Sequence, residues 1–223
     1  MNVDWQRVDL VVFDVDGTLY DQKRLRMMMI LLLLEHLVTH PTDYRLLRLL
    51  SIYRRCREEL AEEECSNIGR LQYERPASQL GVAAQEVEKE VELWIHEKPL
   101  KVLRRCRFRD VERVFSSFRD RGRTLAVLSD YPAARKLETL ELEVDLCVSG
   151  IDAEVDRLKP DPAGLRYILE TVGVAAHRAL MIGDRDDRDG ECARRAGVPF
   201  LLRRGTGPTG SDGFSHYRSL LEA

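Results

Sequence analysis

Several signatures are missing from this sequence, and each absence excludes a class of protein. Its five cysteines, Cys56, Cys65, Cys106, Cys147 and Cys192, are odd in number and widely spaced, with no Cys-x-x-Cys pair. That pattern excludes a disulfide framework and a thiolate zinc site, so reduced thiols in a cytoplasmic protein are expected. There is no basic segment leading into a cleavable apolar stretch. An apolar, strand-like run begins at Val8 instead, so no secretory signal is expected. Nor does any apolar run reach the ~20 residues a membrane span needs. The most hydrophobic stretch, 27–34 with Leu37 and Val38, is shorter and is bracketed or interrupted by Arg24, Arg26, Glu35 and His36. It is expected to form a buried helix, with an oligomer interface as the alternative. Charge of one sign is missing too. The 35 basic and 38 acidic side chains leave a net charge of -3, which gives no pull toward nucleic acid or an anionic membrane. Internal repeats and low-complexity segments are also absent.

What remains is an ordinary globular composition: 223 residues, 44% apolar and 33% charged, enough for one core with a smaller inserted module. Five short apolar runs read as buried parallel strands, at Leu10–Phe13, 124–128, 146–148, 179–182 and 199–202. Helical patterns separate the last four, at 133–140, Ala163–Val172 and 190–196. This alternation predicts an α/β fold with an open parallel sheet covered by helices on both faces. The rhythm breaks between the first two strands. There the chain shows helical patterns at 25–40, 44–64, 69–80 and 85–97, with Asp43 as a candidate cap, before a further helix at 108–121. Residues 21–99 are therefore expected to be a helical insertion, and 1–20 with 100–223 the core. The glycine-rich stretch 205–213 is expected to be a surface loop before a short terminal helix.

In an open α/β sheet, ligands bind beyond the carboxyl ends of the strands. The residues just after each apolar run are accordingly the informative ones. They are Asp14 and Asp16 after the first, Ser129 after the second, Lys159 in the loop after the third, and Asp184, Asp186, Asp187 and Asp189 after the fourth. Carboxylates gathered at one edge repel unless a cation holds them, and hard oxygen donors select Mg²⁺. A lysine and a hydroxyl beside them suit phosphate oxygens, and a carboxylate can serve as nucleophile in phosphoryl transfer.

Asp14-Val15-Asp16-Gly17-Thr18, Ser129, Lys159-Pro160 and Gly183-Asp184 through Asp189 resemble the four motifs of the haloacid dehalogenase-like hydrolase superfamily. The resemblance spans the whole core. It implies a Rossmann-like core, Mg²⁺ and a phosphatase of a small phosphorylated substrate. By the same resemblance Asp14 is the nucleophile and Asp16 the general acid and base. Ser129 and Lys159 hold the phosphoryl group. The Asp14 carboxylate, the Asp16 backbone carbonyl and Asp184 hold the metal, and Asp189 supports it or orients Lys159. Gly17 permits the tight turn and Thr18 steadies it. From Asp14 to Ser129 the chain runs 115 positions, against 30 from Ser129 to Lys159. This spacing resembles members with a helical cap after the first strand, the C1 type that includes phosphoglycolate phosphatase.

Alternatives remain at this stage. A phosphomutase of the β-phosphoglucomutase type uses the same core. A 2-haloacid dehalogenase has no use for the acid at Asp16, and a non-catalytic binding protein would leave the motif residues idle. Asp130, beside Ser129, adds a negative charge near the phosphate pocket. Arg185 and Arg188 read as surface charges neutralising an acidic loop, or as substrate contacts. Arginines of the insertion, among them Arg26, Arg54, Arg55 and Arg57, would recognise a carboxylate or a second phosphate on the substrate if they faced the site. Otherwise Arg54, Arg55 and Arg57 form a solvated helix face with the nearby glutamates. Tyr20, Trp94, His96 and Tyr131 are candidates for the pocket. No nucleic-acid or membrane partner is expected, and the chain is expected to be a monomer or homodimer.

Overall fold

The computed structural model describes residues 3–205 and 213–221. Its α/β core carries six parallel strands: β1 (Leu10–Phe13), β2 (Thr124–Ser129), β3 (Leu146–Ser149), β4 (Ala179–Gly183), β5 (Phe200–Arg203) and β6 (Gly213–Phe214). The sheet order is β3-β2-β1-β4-β5-β6, so β1 lies between β2 and β4, with Val12 level with Ala126 and with Met181. The nine helices of the described residues are α1 (Gln22–Thr39), α2 (Tyr44–Glu62), α3 (Ile68–Leu80), α4 (Ala84–Val91), α5 (Leu100–Leu103), α6 (Val111–Asp120), α7 (Ala134–Leu140), α8 (Ala163–Val172) and α9 (Glu191–Ala196). After α4 the helix widens into a π-helical turn, Glu92–Glu97.

Alternation along the strands builds two cores. Val11, Phe13, Leu125, Val127, Leu180 and Ile182 face α6 and α7, where Phe13 stacks on Phe115 with ring centroids 4.7 Å apart. Leu10, Val12, Ala126, Leu128 and Met181 face the other way, toward α8 and α9. β1 is buried on both sides, which is why its four residues read as an unbroken apolar run.

The helices between β1 and β2 hold a third cluster of their own, in which Leu46, Leu49, Leu50 and Tyr53 of α2 pack on Ala77, Val87, Val91 and Trp94. Polar ties fasten them to the core. Arg188 Nη2 donates to Glu58 Oε2 at 2.6 Å, Arg57 Nη2 to the Asp130 carbonyl, and the Asn67 and Ile68 N–H groups to the Asp156 carboxylate.

The structure corrects several expectations. The apolar run of α1 is not buried. Leu25 is its one buried residue, while Met27, Ile30, Leu31, Leu34 and Val38 are all at least half exposed. Consecutive apolar residues encircle a helix, and a helix with neighbours on one side can bury only that side. Arg57 does not belong to a solvated face. It is 4% exposed, donates to Gln72 and Asp130, and lies over the Tyr131 ring. Arg188 is likewise buried rather than on the surface. Asp43 makes no side-chain cap on α2; its carboxylate faces His36 at 3.0 Å. α1 is instead capped by Asp21, which accepts from the Arg24 N–H at 3.0 Å. Most of the glycine-rich 205–213 stretch lies outside the described residues, but Gly213–Phe214 pairs with β5 as a sixth strand and Tyr217–Leu220 forms a terminal helical turn. No helix among the described residues is long and apolar enough to cross a membrane.

Candidate active site

The carboxyl ends of β1, β2 and β4 converge on Asp14. Its carboxylate is buried, accepting from Lys159 Nζ at 2.6 Å through Oδ1 and from the Thr18 hydroxyl at 2.9 Å through Oδ2. Lys159 reaches it from the segment after β3, 3% exposed, and also donates to Asp189 Oδ1 at 2.6 Å and to the Leu128 carbonyl at 3.3 Å. One ammonium thus bridges two carboxylates. Burial alone would push the Lys159 pKa down, but the charges of Asp14 and Asp189 raise it well above the ordinary lysine value.

The carboxylates respond in kind. Burial raises the Asp14 pKa against the opposing pull of Lys159. Asp184 is pushed up to about 6, by burial and by the charge of Asp14. Oxygens of Asp14, Asp184 and Asp189 lie within 4.8 Å of one another. Three carboxylates so close, all of them raised above the usual range with a single lysine among them, form a hard-oxygen donor set that fits a divalent cation.

Asp16 stands apart from this cluster. Lys136 Nζ donates to both its oxygens, at 2.6 and 2.8 Å, and the Tyr20 hydroxyl donates to Oδ1. Burial would raise the Asp16 pKa, yet the Lys136 charge and these hydrogen bonds bring it below the ordinary value. The two aspartates of one motif are therefore held in opposite electrostatic settings.

Backbone geometry holds the arrangement. Gly17 adopts φ +97°, and an added Cβ would lie 2.7 Å from Asp184 Cγ. Only glycine lets this turn pass under the Asp184 carboxylate. Arg203 Nη1 donates to the Gly17 carbonyl at 3.1 Å and Tyr217 to the Thr18 carbonyl at 2.7 Å, so β5 and the terminal turn fasten the loop from behind.

A cavity of about 690 Å³ opens in front of these groups, between the sheet edge and the helices 22–103. Asp14, Asp16, Lys159, Asp184 and Asp189 line it, as do Tyr20, Trp94, His96 and Tyr131. Ser129, Gly17 and Thr18 are not among its lining residues; Ser129 is buried at the end of β2, its hydroxyl accepting from the Tyr131 N–H at 3.2 Å. Asp130 turns its carboxylate to the Lys159 N–H, 2.9 Å away, so its charge helps place the loop that carries Lys159. Burial, with the charges of Lys136 and Arg57 beside it, lowers the His96 pKa to about 4 and keeps that ring neutral.

Lys136 escaped the sequence reading. It sits in α7 among Arg135 and Glu138 and looks like one more surface charge. A faint signal was available, since α7 follows directly on β2 and so starts at the sheet edge where ligands bind.

The haloacid dehalogenase-like hydrolase family matches residues 8–197. A curated phosphoglycolate phosphatase from Rhodospirillum rubrum is 44% identical over 72 residues, which cover 32% of this chain and 29% of that protein. The fold is similar to that of a 2-haloacid dehalogenase from Pseudomonas syringae, with a TM-score of 0.68 and 21% identity over 96% of this chain and 97% of that one. A HAD phosphatase from Thermococcus onnurineus superposes with a TM-score of 0.59 and 18% identity, again over 96% and 97% of the two chains. At these identities the solved structures speak for the fold alone, and they include both halogen and phosphate chemistry. With the match running from the strand before Asp14 to the helix after Asp189, this chain belongs to the haloacid dehalogenase-like hydrolases.

Proposed function

We propose that the chain is a Mg²⁺-dependent phosphomonoester hydrolase that works through an aspartyl-phosphate on Asp14. The observation that supports this most directly is the division of labour between Asp14 and Asp16. Asp14 lies inside the oxygen cluster with Asp184 and Asp189, whereas Asp16 lines the same cavity outside it, hydrogen-bonded to Lys136. Displacement of halide needs a carboxylate nucleophile but neither a cation nor a second proton-transfer group. Phosphoryl transfer uses both.

Asp14, Asp184 and the Asp16 backbone carbonyl are the residues to hold the metal, with Asp189 beside them. When bound, the cation neutralises charge on the phosphoryl group and on the attacking carboxylate. Asp14 attacks phosphorus, and the bond from phosphorus to the leaving oxygen breaks. Asp16 is held ionised, so the proton that oxygen needs passes through it from the Lys136 ammonium, 2.6 Å away. In the second half-reaction Asp16 takes a proton from water, which attacks phosphorus and releases phosphate. Lys159 keeps its charge throughout and offsets that of Asp14, while Ser129, at the end of β2, supports the phosphoryl pocket.

Residues 21–99 serve in this reading as the cap, which shields the intermediate from bulk water and selects the substrate. A phosphomutase would pass the phosphoryl group to a second substrate hydroxyl instead, and release of inorganic phosphate separates the two. The five free thiols suit a reducing, cytoplasmic setting.

The test is turnover of p-nitrophenyl phosphate with and without Mg²⁺, in the native protein and in Asp14→Asn. The variant keeps the shape of the side chain and removes its nucleophilic charge, so activity should fall by about 10³-fold or more with an unchanged circular dichroism spectrum. Wild-type activity in that variant would sink the mechanism.

A further inference from the structure

Lys159 lies between Ser149 and Ala163, in a stretch that is neither strand nor helix. No ladder holds its backbone there, so its polar groups need partners from elsewhere. Each has one. The Lys159 N–H donates to Asp130 Oδ1 at 2.9 Å, and its carbonyl accepts from Arg188 Nη1 at 2.9 Å. Both partners are held in turn by α2, through consecutive residues. Arg57 Nη2 donates to the Asp130 carbonyl, and Glu58 Oε2 accepts from Arg188 Nη2 at 2.6 Å. Glu58 Oε1 also accepts from Arg185 Nη1 at 3.3 Å, and the Arg185 N–H donates to Asp189 Oδ2 at 3.0 Å.

The same helices grip the residues just before Lys159. Leu158, 3% exposed, packs with Leu60 and Ala61 of α2 and Ile68 of α3. The Asp156 carboxylate accepts from the Asn67 and Ile68 N–H groups. A lysine side chain is a flexible four-carbon stem, so its ammonium is placed only as well as the backbone that bears it. Here the ammonium reaches Asp14 and Asp189 at once, each at 2.6 Å.

We infer that Arg57 and Glu58 are positioning residues for Lys159. Acting through Asp130 and Arg188, they fix its backbone from both sides, and the ammonium stands between Asp14 and Asp189 while α2 lies against residues 156–159. The inference rests on the phosphatase reading for what Lys159 does to a phosphoryl group. It adds that the cap of that reading completes the site as well as covering it. Phosphate binding and seating of α2 then favour each other, since both need Lys159 in the same place.

Glu58 is the residue to change, because its side chain is 56% exposed and its loss should leave the fold intact. Brief acetic anhydride labelling of the full chain, followed by peptide mapping, reads how firmly the Lys159 amine is held. In Glu58→Ala, Lys159 should label about 3- to 10-fold faster than in the wild type, the worth of one ordinary hydrogen bond. Glu58→Gln keeps an acceptor for Arg188 and should recover most of the protection. Glu59→Ala, whose carboxylate pairs with Arg55 of the same helix at 3.6 Å, should label like the wild type. Lys136 lines the same cavity and is the reference for general opening. Binding of inorganic phosphate with Mg²⁺, by calorimetry, should weaken in Glu58→Ala by a similar factor. An unchanged Lys159 rate in Glu58→Ala overturns the proposal, as does equal acceleration at Lys136. So do a Glu58→Gln variant no better than Glu58→Ala, or phosphate affinity in Glu58→Ala equal to the wild type. The phosphatase reading fails by a separate result, in which Lys159 labels as described but the wild type releases no phosphate from p-nitrophenyl phosphate with Mg²⁺.

Discussion

Gly17→Ala adds one carbon at the most crowded point of the site. The residue sits at φ +97°, where a side chain costs about 1–2 kcal/mol, and the new Cβ would overlap the Asp184 carboxylate. Asp184 is only partly buried, so its carboxylate can swing away and the fold should survive. For a chain of this size each kcal/mol moves Tm by about 2–4 °C, which predicts a fall of about 2–8 °C. The functional loss should be larger. A shift of about 1 Å in a group that positions reactants can cost on the order of 10²-fold, and Asp184 is one of the residues proposed to hold the metal. Thermal melts give the first number; kcat and the Mg²⁺ concentration at half-maximal rate give the second. The expected pattern is a modest drop in Tm, a weaker apparent affinity for Mg²⁺ and a rate lower by about 10²-fold. An Ala variant with unchanged Tm and unchanged Mg²⁺ dependence would refute the claim that this turn fits only glycine.

Lys136→Met should strand the Asp16 carboxylate, whose side chain is 15% exposed against 11% for Lys136. Breaking a pair this enclosed predicts a loss of about 2–4 kcal/mol by urea denaturation, and Asp16→Asn in the same chain should restore part of it; no restoration would mean the two groups are not coupled. Asp184 makes the metal-free protein sensitive to pH. Its pKa is raised from 3.8 to about 6, so its contribution to stability is full below pH 3.8 and is lost as pH rises through 6. In chelator, wild type should therefore lose stability relative to Asp184→Asn between pH 4 and pH 7, and Mg²⁺ should reverse that loss at pH 7; a difference independent of pH would contradict it. Arg57→Ala removes the buried contact with Asp130 and should lower Tm while raising KM more than it lowers kcat, as steady-state kinetics can show.

Much of the fold was legible because its signals are local. β1 sits between β2 and β4 with helices on both faces, and burial on both sides demands an apolar residue at every position. The sequence therefore advertises Leu10–Phe13, and the residue after it falls at the sheet edge. That is how Asp14, Asp16, Lys159, Asp184 and Asp189 could be named without coordinates. α1 shows the limit of such signals. Its run of methionine and leucine looks like core, but hydrophobicity states a preference for burial and not whether a neighbour is present to provide it.

Charged residues were the harder case, because a lysine or arginine reads the same on a surface and beneath one. Lys136, Arg57 and Arg188 are buried only because a carboxylate or a carbonyl from a distant part of the chain meets each of them: Asp16, Asp130, and Glu58 with Lys159. The sequence by itself determined the strand order of chemistry, from the aspartates after β1 to those after β4, because strand ends and apolar runs are set by neighbours along the chain. Only the tertiary structure decided that Asp14 joins Asp184 and Asp189 in one carboxylate cluster while Asp16 pairs with Lys136. Partners of that kind are chosen by packing between segments far apart in the chain.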